Sequence, residues 1–128
     1  VGDCDVEQAE LNELLAASDV VSLHLPPTAD GRPLLGAVEL SLLPDGAIVV
    51  NTARASLVDD DAMLYALDAG AVAAYAVDAF ASEPPSLTRL LLHQNVLATP
   101  HLGAFTTGSV RRATSAAVDS ILSVLSTP

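Results

Sequence analysis

Three side chains with complementary chemistry each follow a short apolar run. Arg54 comes just after "AIVVN", Glu83 shortly after "AYAVD", and His101 just after "NVLA". A histidine gives or takes a proton near neutral pH. A carboxylate beside it favours the imidazolium and orients the ring. An arginine offers a planar fork that holds a carboxylate or polarises a carbonyl. Together they would serve the reversible reduction of a 2-keto acid. Arg54 would hold the substrate, His101 would protonate the developing alkoxide, and Glu83 would orient His101. No side chain supplies a hydride, so that chemistry needs a cofactor. On spacing alone, blander readings fit as well: a loop histidine, a solvated turn acid and a surface arginine leading a helix.

The elements that must position these residues are legible as alternating runs. Val20–Leu25, Ala47–Asn51, Ala74–Asp78 and Asn95–Ala98 are short, apolar and bounded by Pro, Gly or Asp. They predict parallel strands covered on both faces. Between and after them, Glu7–Ala17, Asp59–Ala69 and Thr106–Leu125 have helical spacing. The first puts Leu11, Leu14 and Leu15 on one face. The last carries an apolar stripe, Val110, Ala113, Ala117, Ile121 and Leu125, read as core. Asp59-Asp60-Asp61 suits a helix start better than a metal site, and Gly70 suits its end. Strands alternating with helices give an α/β fold, in which ligands bind beyond the carboxyl ends of the strands. Arg54, Glu83 and His101 all lie there. His24 is expected to be a hydrogen-bonded structural residue within its strand, and His93 an exposed loop or helix-end residue.

Composition narrows the partners. Sixteen acids against five arginines give a net charge of -11, which disfavours nucleic acid and anionic membrane surfaces. A single cysteine, Cys4, excludes an internal disulfide and a cysteine cluster, and is read as inert. No run reaches transmembrane length and no signal pattern is present, so a cytoplasmic location is expected.

With these residues in view, the chain resembles the D-isomer-specific 2-hydroxyacid dehydrogenases, their phosphoglycerate dehydrogenase type in particular. "SDVVSLHLPPT" resembles that family's strand and H-x-P-x-T turn. "NTARASLVDDD" is similar to its N-T-x-R-x-x-x-V-D segment, "AYAVDAFASEPP" to D-V-F-x-x-E-P, and "NVLATPHLGAFT" to N-V-x-x-T-P-H-x-G. The resemblance implies that Arg54 binds substrate, Glu83 pairs with the catalytic histidine, and His101 is the proton donor and acceptor. It implies an NAD site lined by Pro26, Thr28, Thr52, Ala53, Arg54, Asp78, His101 and Gly103, with Asp78 toward the nicotinamide carboxamide. The implied substrate is a small 2-hydroxy or 2-keto acid such as 3-phosphoglycerate. Departures are mild: Ala55 stands where the family often has Gly, and Ala79 where it often has Val.

One departure is large. The glycine-rich G-x-G-x-x-G turn that cradles a dinucleotide pyrophosphate is missing, because none of the glycines has that spacing. The expectation is therefore the second half of a doubly wound, Rossmann-type parallel sheet with flanking helices. Residues 1–128 would form a partial NAD-binding domain with a closing helix, and the substrate domain would be absent. Val20–Leu25 would then be an uncharged apolar edge, and the chain would form a homo-oligomer or depend on a completing chain. A second reading is a non-catalytic fragment or nucleotide-sensing interaction module of the same fold.

Overall fold

The computed structural model describes residues 6–126. Cys4 lies outside them. Four strands form one parallel sheet in the order β1-β2-β3-β4: β1 Val20–Leu23, β2 Ala47–Asn51, β3 Val72–Val77 and β4 Val96–Ala98. The sequence runs place all four. β1 stops two residues early, before His24-Leu25-Pro26, and β3 starts two residues early at Val72. Asn51 at the end of β2 stands level with Leu23 on β1 and Val77 on β3, so three strand ends finish on one line. β1 is an edge, as expected.

Among the described residues, four α-helices accompany the sheet: α1 Leu11–Ala17, α2 Ala37–Leu40, α3 Asp60–Asp68 and α4 Thr107–Leu125. The first three pack on one face. Leu15 of α1, Leu40 of α2 and Met63, Ala66 and Leu67 of α3 form one core with Val21, Leu23, Val49, Val72, Tyr75 and Val77 of the strands. Complete burial of a Leu, Met or Val side chain contributes about 1.5–3 kcal/mol, so this single layer holds the fold together.

The other face is open, which corrects the expectation of a sheet covered on both sides. β1 alternates exposed and buried residues, and Val20 and Leu97 stay 57% and 66% exposed. The runs are apolar on both sides, but the described residues supply packed helices for one side only. The same reason corrects the reading of α4 as core. Its stripe has the expected helical period, yet no residue of α4 is buried, and Ile121, Val124 and Leu125 are exposed. Periodicity marks a face that burial would favour; it does not supply the surface to bury it.

Two short elements went unread in the sequence. α2 is a single turn, entered where the Gly36 N–H donates to the Glu39 Oε2 at 3.0 Å. A 3-10 turn at Ala55–Leu57 buries Leu57 and leads into α3. Leu35 pairs with this segment by bridging to Val58. The acid triplet does start a helix: Asp59 is the N-cap of α3, and its carboxylate accepts from the Ala62 N–H at 2.8 Å. α1 is shorter than expected and buries only Leu15, while Leu11 and Leu14 are exposed. His93 corrects another expectation. Its ring is largely buried, with Nε2 3.5 Å from Asp68 Oδ1 and Nδ1 accepting from the Asn95 N–H.

Candidate active site

The site is built from the turns after the strands. β2 ends in Asn51, whose side chain is completely buried. Its Oδ1 accepts from the Ala53 N–H at 3.1 Å and its Nδ2 donates to the Arg54 carbonyl at 2.8 Å. An Asn amide that bonds its own backbone two residues on defines a turn. Here it fixes the path Thr52-Ala53-Arg54. Nδ2 also lies 3.4 Å from the hydroxyl of Tyr75 on β3. Burial pushes the Tyr75 phenol up to about 12. Asn51 was read only as the end of a strand. The signal that finds it is a polar residue closing an apolar strand, which burial obliges to find partners.

The Arg54 turn faces the turn after β1 across a cleft of about 390 Å³, lined by His24, Leu25, Pro26, Pro27, Thr52, Ala53 and Arg54. Arg54 is exposed, with Nη1 donating to the Ala53 carbonyl at 2.6 Å. His24 lies just beyond the strand, exposed, with Nε2 2.8 Å from the Ser22 hydroxyl. Its expected hydrogen bond is there; its place inside a strand is not. Thr28 turns back on its own loop and donates to the Arg32 carbonyl.

Glu83 and His101 meet. His101 Nδ1 and Glu83 Oε1 are 2.6 Å apart, with both side chains a little under half exposed. A carboxylate only accepts, so Nδ1 carries the proton and Nε2 is the atom left to exchange one. Glu83 stands in the long connection between β3 and β4, where the Phe80 N–H also approaches its Oε1 at 3.5 Å. His101 follows a tight turn over Pro100, closed by the His101 N–H on the Thr99 carbonyl at 2.9 Å. Its own backbone is left-handed, with φ 52°, a conformation in which histidine is enriched.

Behind this pair lies Asp78, buried at the end of β3. Its Oδ1 accepts from the Thr99 hydroxyl at 2.5 Å and the Leu102 N–H at 2.7 Å, and its Oδ2 accepts from the Gly103 N–H at 2.8 Å. The Thr99 hydroxyl first, then the two backbone N–H groups and nearby His101, hold its carboxyl below the usual carboxylate range, against the opposing effect of burial. Gly103 permits the approach, since a Cβ there would lie 3.2 Å from Asp78 Oδ2.

The sequence-predicted residues thus fall into two groups. Glu83 and His101 form a bonded pair with Asp78 and Gly103 beneath it. Pro26, Thr52, Ala53 and Arg54 share the neighbouring cleft. Among the described residues no hydrogen bond or ion pair joins Arg54 to Glu83 or His101. Thr99, like Asn51, was missed as a site residue.

Comparison with known proteins identifies the family. The family profile described as the NAD binding domain of D-isomer specific 2-hydroxyacid dehydrogenases matches residues 2–103. D-3-phosphoglycerate dehydrogenase 3 of Arabidopsis thaliana, a chloroplastic protein, is 42% identical over 102 residues, covering 79% of this chain and 17% of the relative. A crystal structure of a Thermus thermophilus protein superposes with a TM-score of 0.87 at 35% identity, covering 98% of this chain and 40% of that one. The D-lactate dehydrogenase of Aquifex aeolicus, solved with NAD and lactic acid, gives a TM-score of 0.79 at 30% identity, covering 91% and 40%. The chain spans well under half the length of each of these relatives. Its four ordered motifs, its parallel half-sheet and the profile match agree: the chain belongs to the D-isomer specific 2-hydroxyacid dehydrogenase family, within the NAD-binding domain.

Proposed function

We propose that this chain carries the acid–base and nicotinamide end of an NAD-dependent dehydrogenase acting on C2 of a small 2-hydroxy or 2-keto acid. The observation that carries the reading is the 2.6 Å pair of His101 Nδ1 and Glu83 Oε1 beyond the carboxyl ends of a parallel sheet. In this reading His101 gives and takes the substrate's hydroxyl proton through Nε2. Glu83 holds the ring in that tautomer and orientation. Arg54 binds the substrate carboxylate, because its fork is anchored at one nitrogen only and exposed. The bound dinucleotide supplies the hydride. The cleft offers its nicotinamide end both kinds of surface: Leu25, Pro26, Pro27 and Ala53 are apolar, and His24, Thr52 and Arg54 are polar. Pro26, Thr28, Thr52, Ala53, Arg54, Asp78, His101 and Gly103 would line that end. The pyrophosphate would be gripped by residues outside this chain, since a glycine turn for it is missing from the sequence.

The substrate is proposed only as a class. Relatives named for D-3-phosphoglycerate and D-lactate each match most of this chain, so 3-phosphoglycerate is one candidate among several. The open sheet face and bare α4 favour a chain that works in an assembly, either as a homo-oligomer or with completing polypeptide. They also favour the second reading, a binding module that keeps the fold without turnover. Fluorescence titration with NADH tests the proposal. Saturable binding that Ala53→Glu abolishes is expected. Absence of binding up to millimolar NADH would count against a nicotinamide site on this chain, whereas NADH binding without turnover in a completed protein would favour the second reading.

A further inference from the structure

We infer that Asp78 is a positioning residue, a clamp that sets the backbone around His101 and so presents its ring to Glu83. Three bonds carry the inference. They grip the chain on both sides of the histidine: the Thr99 hydroxyl two residues before it, and the Leu102 and Gly103 N–H groups just after it. Between these anchors His101 takes a left-handed backbone, which a loop holds only when its surroundings fix it. The Asp78 carboxylate is the anchored side of these bonds, because it is buried just beyond the end of a strand paired on both sides. Every bond it accepts comes from the loop. Gly103 belongs to the same device, since a larger residue would press on Oδ2. The arrangement explains why a partly exposed ring in an irregular loop keeps a 2.6 Å bond to a partly exposed carboxylate from a different loop. A pair so open to water is not held by its own attraction alone.

The role in turnover rests on the proposed function, because it matters for proton transfer only if His101 performs it. The clamp itself is testable without turnover. The ring nitrogens of all three histidines are followed by long-range proton–nitrogen NMR of the chain labelled with nitrogen-15. Glu83→Ala first gives the His101 signal of an unpaired ring. Asp78→Asn keeps the size but sets an amide N–H against a backbone N–H. It is expected to move the His101 Nδ1 signal most of the way to that unpaired position, with His24 and His93 unchanged. Thr99→Val removes one of the three donors and leaves the strand ends intact. It is expected to move the signal the same way by a smaller amount, and it decides the matter if Asp78→Asn does not fold. A His101 signal that stays at its wild-type position in a folded Asp78→Asn chain overturns the inference. So does an unmoved signal in Thr99→Val where Asp78→Asn is unfolded. A moved signal alongside a failure to bind NADH would uphold the clamp while sinking the proposed function.

Discussion

Replacing Asn51 with alanine should destabilise the chain by about 2–4 kcal/mol. The side chain is completely buried and makes two good bonds, to the Ala53 N–H at 3.1 Å and the Arg54 carbonyl at 2.8 Å. Each such bond contributes roughly 0.5–1.5 kcal/mol net, or about 1–3 kcal/mol for the two. The 3.4 Å approach to the Tyr75 hydroxyl is long and adds little by itself. Its loss still leaves a buried phenol short of a partner, and the missing amide leaves a small void, together about 1 kcal/mol more. Water relieves part of the backbone loss, since Arg54 is exposed and Ala53 only half-buried. Urea unfolding followed by circular dichroism reads the effect. With a slope of about 1.5 kcal/mol per molar urea, a loss of about 3 kcal/mol lowers the midpoint by about 2 M. Asn51→Asp separates the bonds. It keeps an acceptor for the Ala53 N–H but sets a carboxylate against the Arg54 carbonyl in a buried place. It should be as damaging at neutral pH and partly recover on acidification, because burial raises the carboxyl pKa and protonation removes the charge. A midpoint for Asn51→Ala within about 0.3 M of wild type would refute the claim that this amide holds the turn.

Other expectations can be checked on the same chain. Tyr75, raised to about 12, keeps its proton more tightly folded than unfolded. That stability is complete below pH 10 and lost as pH rises through about 12, a decline of roughly 2–3 kcal/mol that alkaline urea titration would show and Tyr75→Phe would abolish. Asp78 has the opposite sign: its depressed carboxyl contributes stability above the ordinary carboxylate range, lost as pH falls below it, so Asp78→Asn should flatten the acid limb of the stability profile. Asp59→Ala removes the cap of α3 and should cost about 1 kcal/mol in thermal or urea unfolding. Leu67→Ala in the core should cost about 2–5 kcal/mol, whereas Ile121→Ala on bare α4 should stay within about 0.5 kcal/mol of wild type. Equal effects at the two positions would mean that α4 is packed after all.

The sequence carried the strand ends further than the surfaces around them. Apolar runs closed by Asn51, Asp78 and Thr99 put Arg54, Glu83 and His101 on one side of the sheet, because every parallel strand must deliver its following turn there. That inference needs only chain direction. Burial was less legible. Val20, Leu97 and Ile121 have the apolarity of core residues, but what covers them is not encoded in their own period. The single-turn α2 and the 3-10 turn at Ala55–Leu57 are too short for any periodicity to register. Asn51 and Thr99 escaped for a different reason. Their work is done through bonds to backbone two or more residues away, or to a strand remote in sequence, and only the fold brings those partners together.

The central claim is that these residues form the proton-transfer end of a 2-hydroxyacid dehydrogenase site. A chimera tests it most directly. The matched segment of the Arabidopsis thaliana D-3-phosphoglycerate dehydrogenase 3 would be replaced by residues 2–103 of this chain, and oxidation of NADH followed with a panel of 2-keto acids. The expected result is turnover of at least one 2-keto acid, reduced about 10²–10⁴-fold by His101→Gln with NADH binding retained. A folded chimera that binds NADH and either turns over no 2-keto acid, or does so equally well with His101→Gln, would contradict the account.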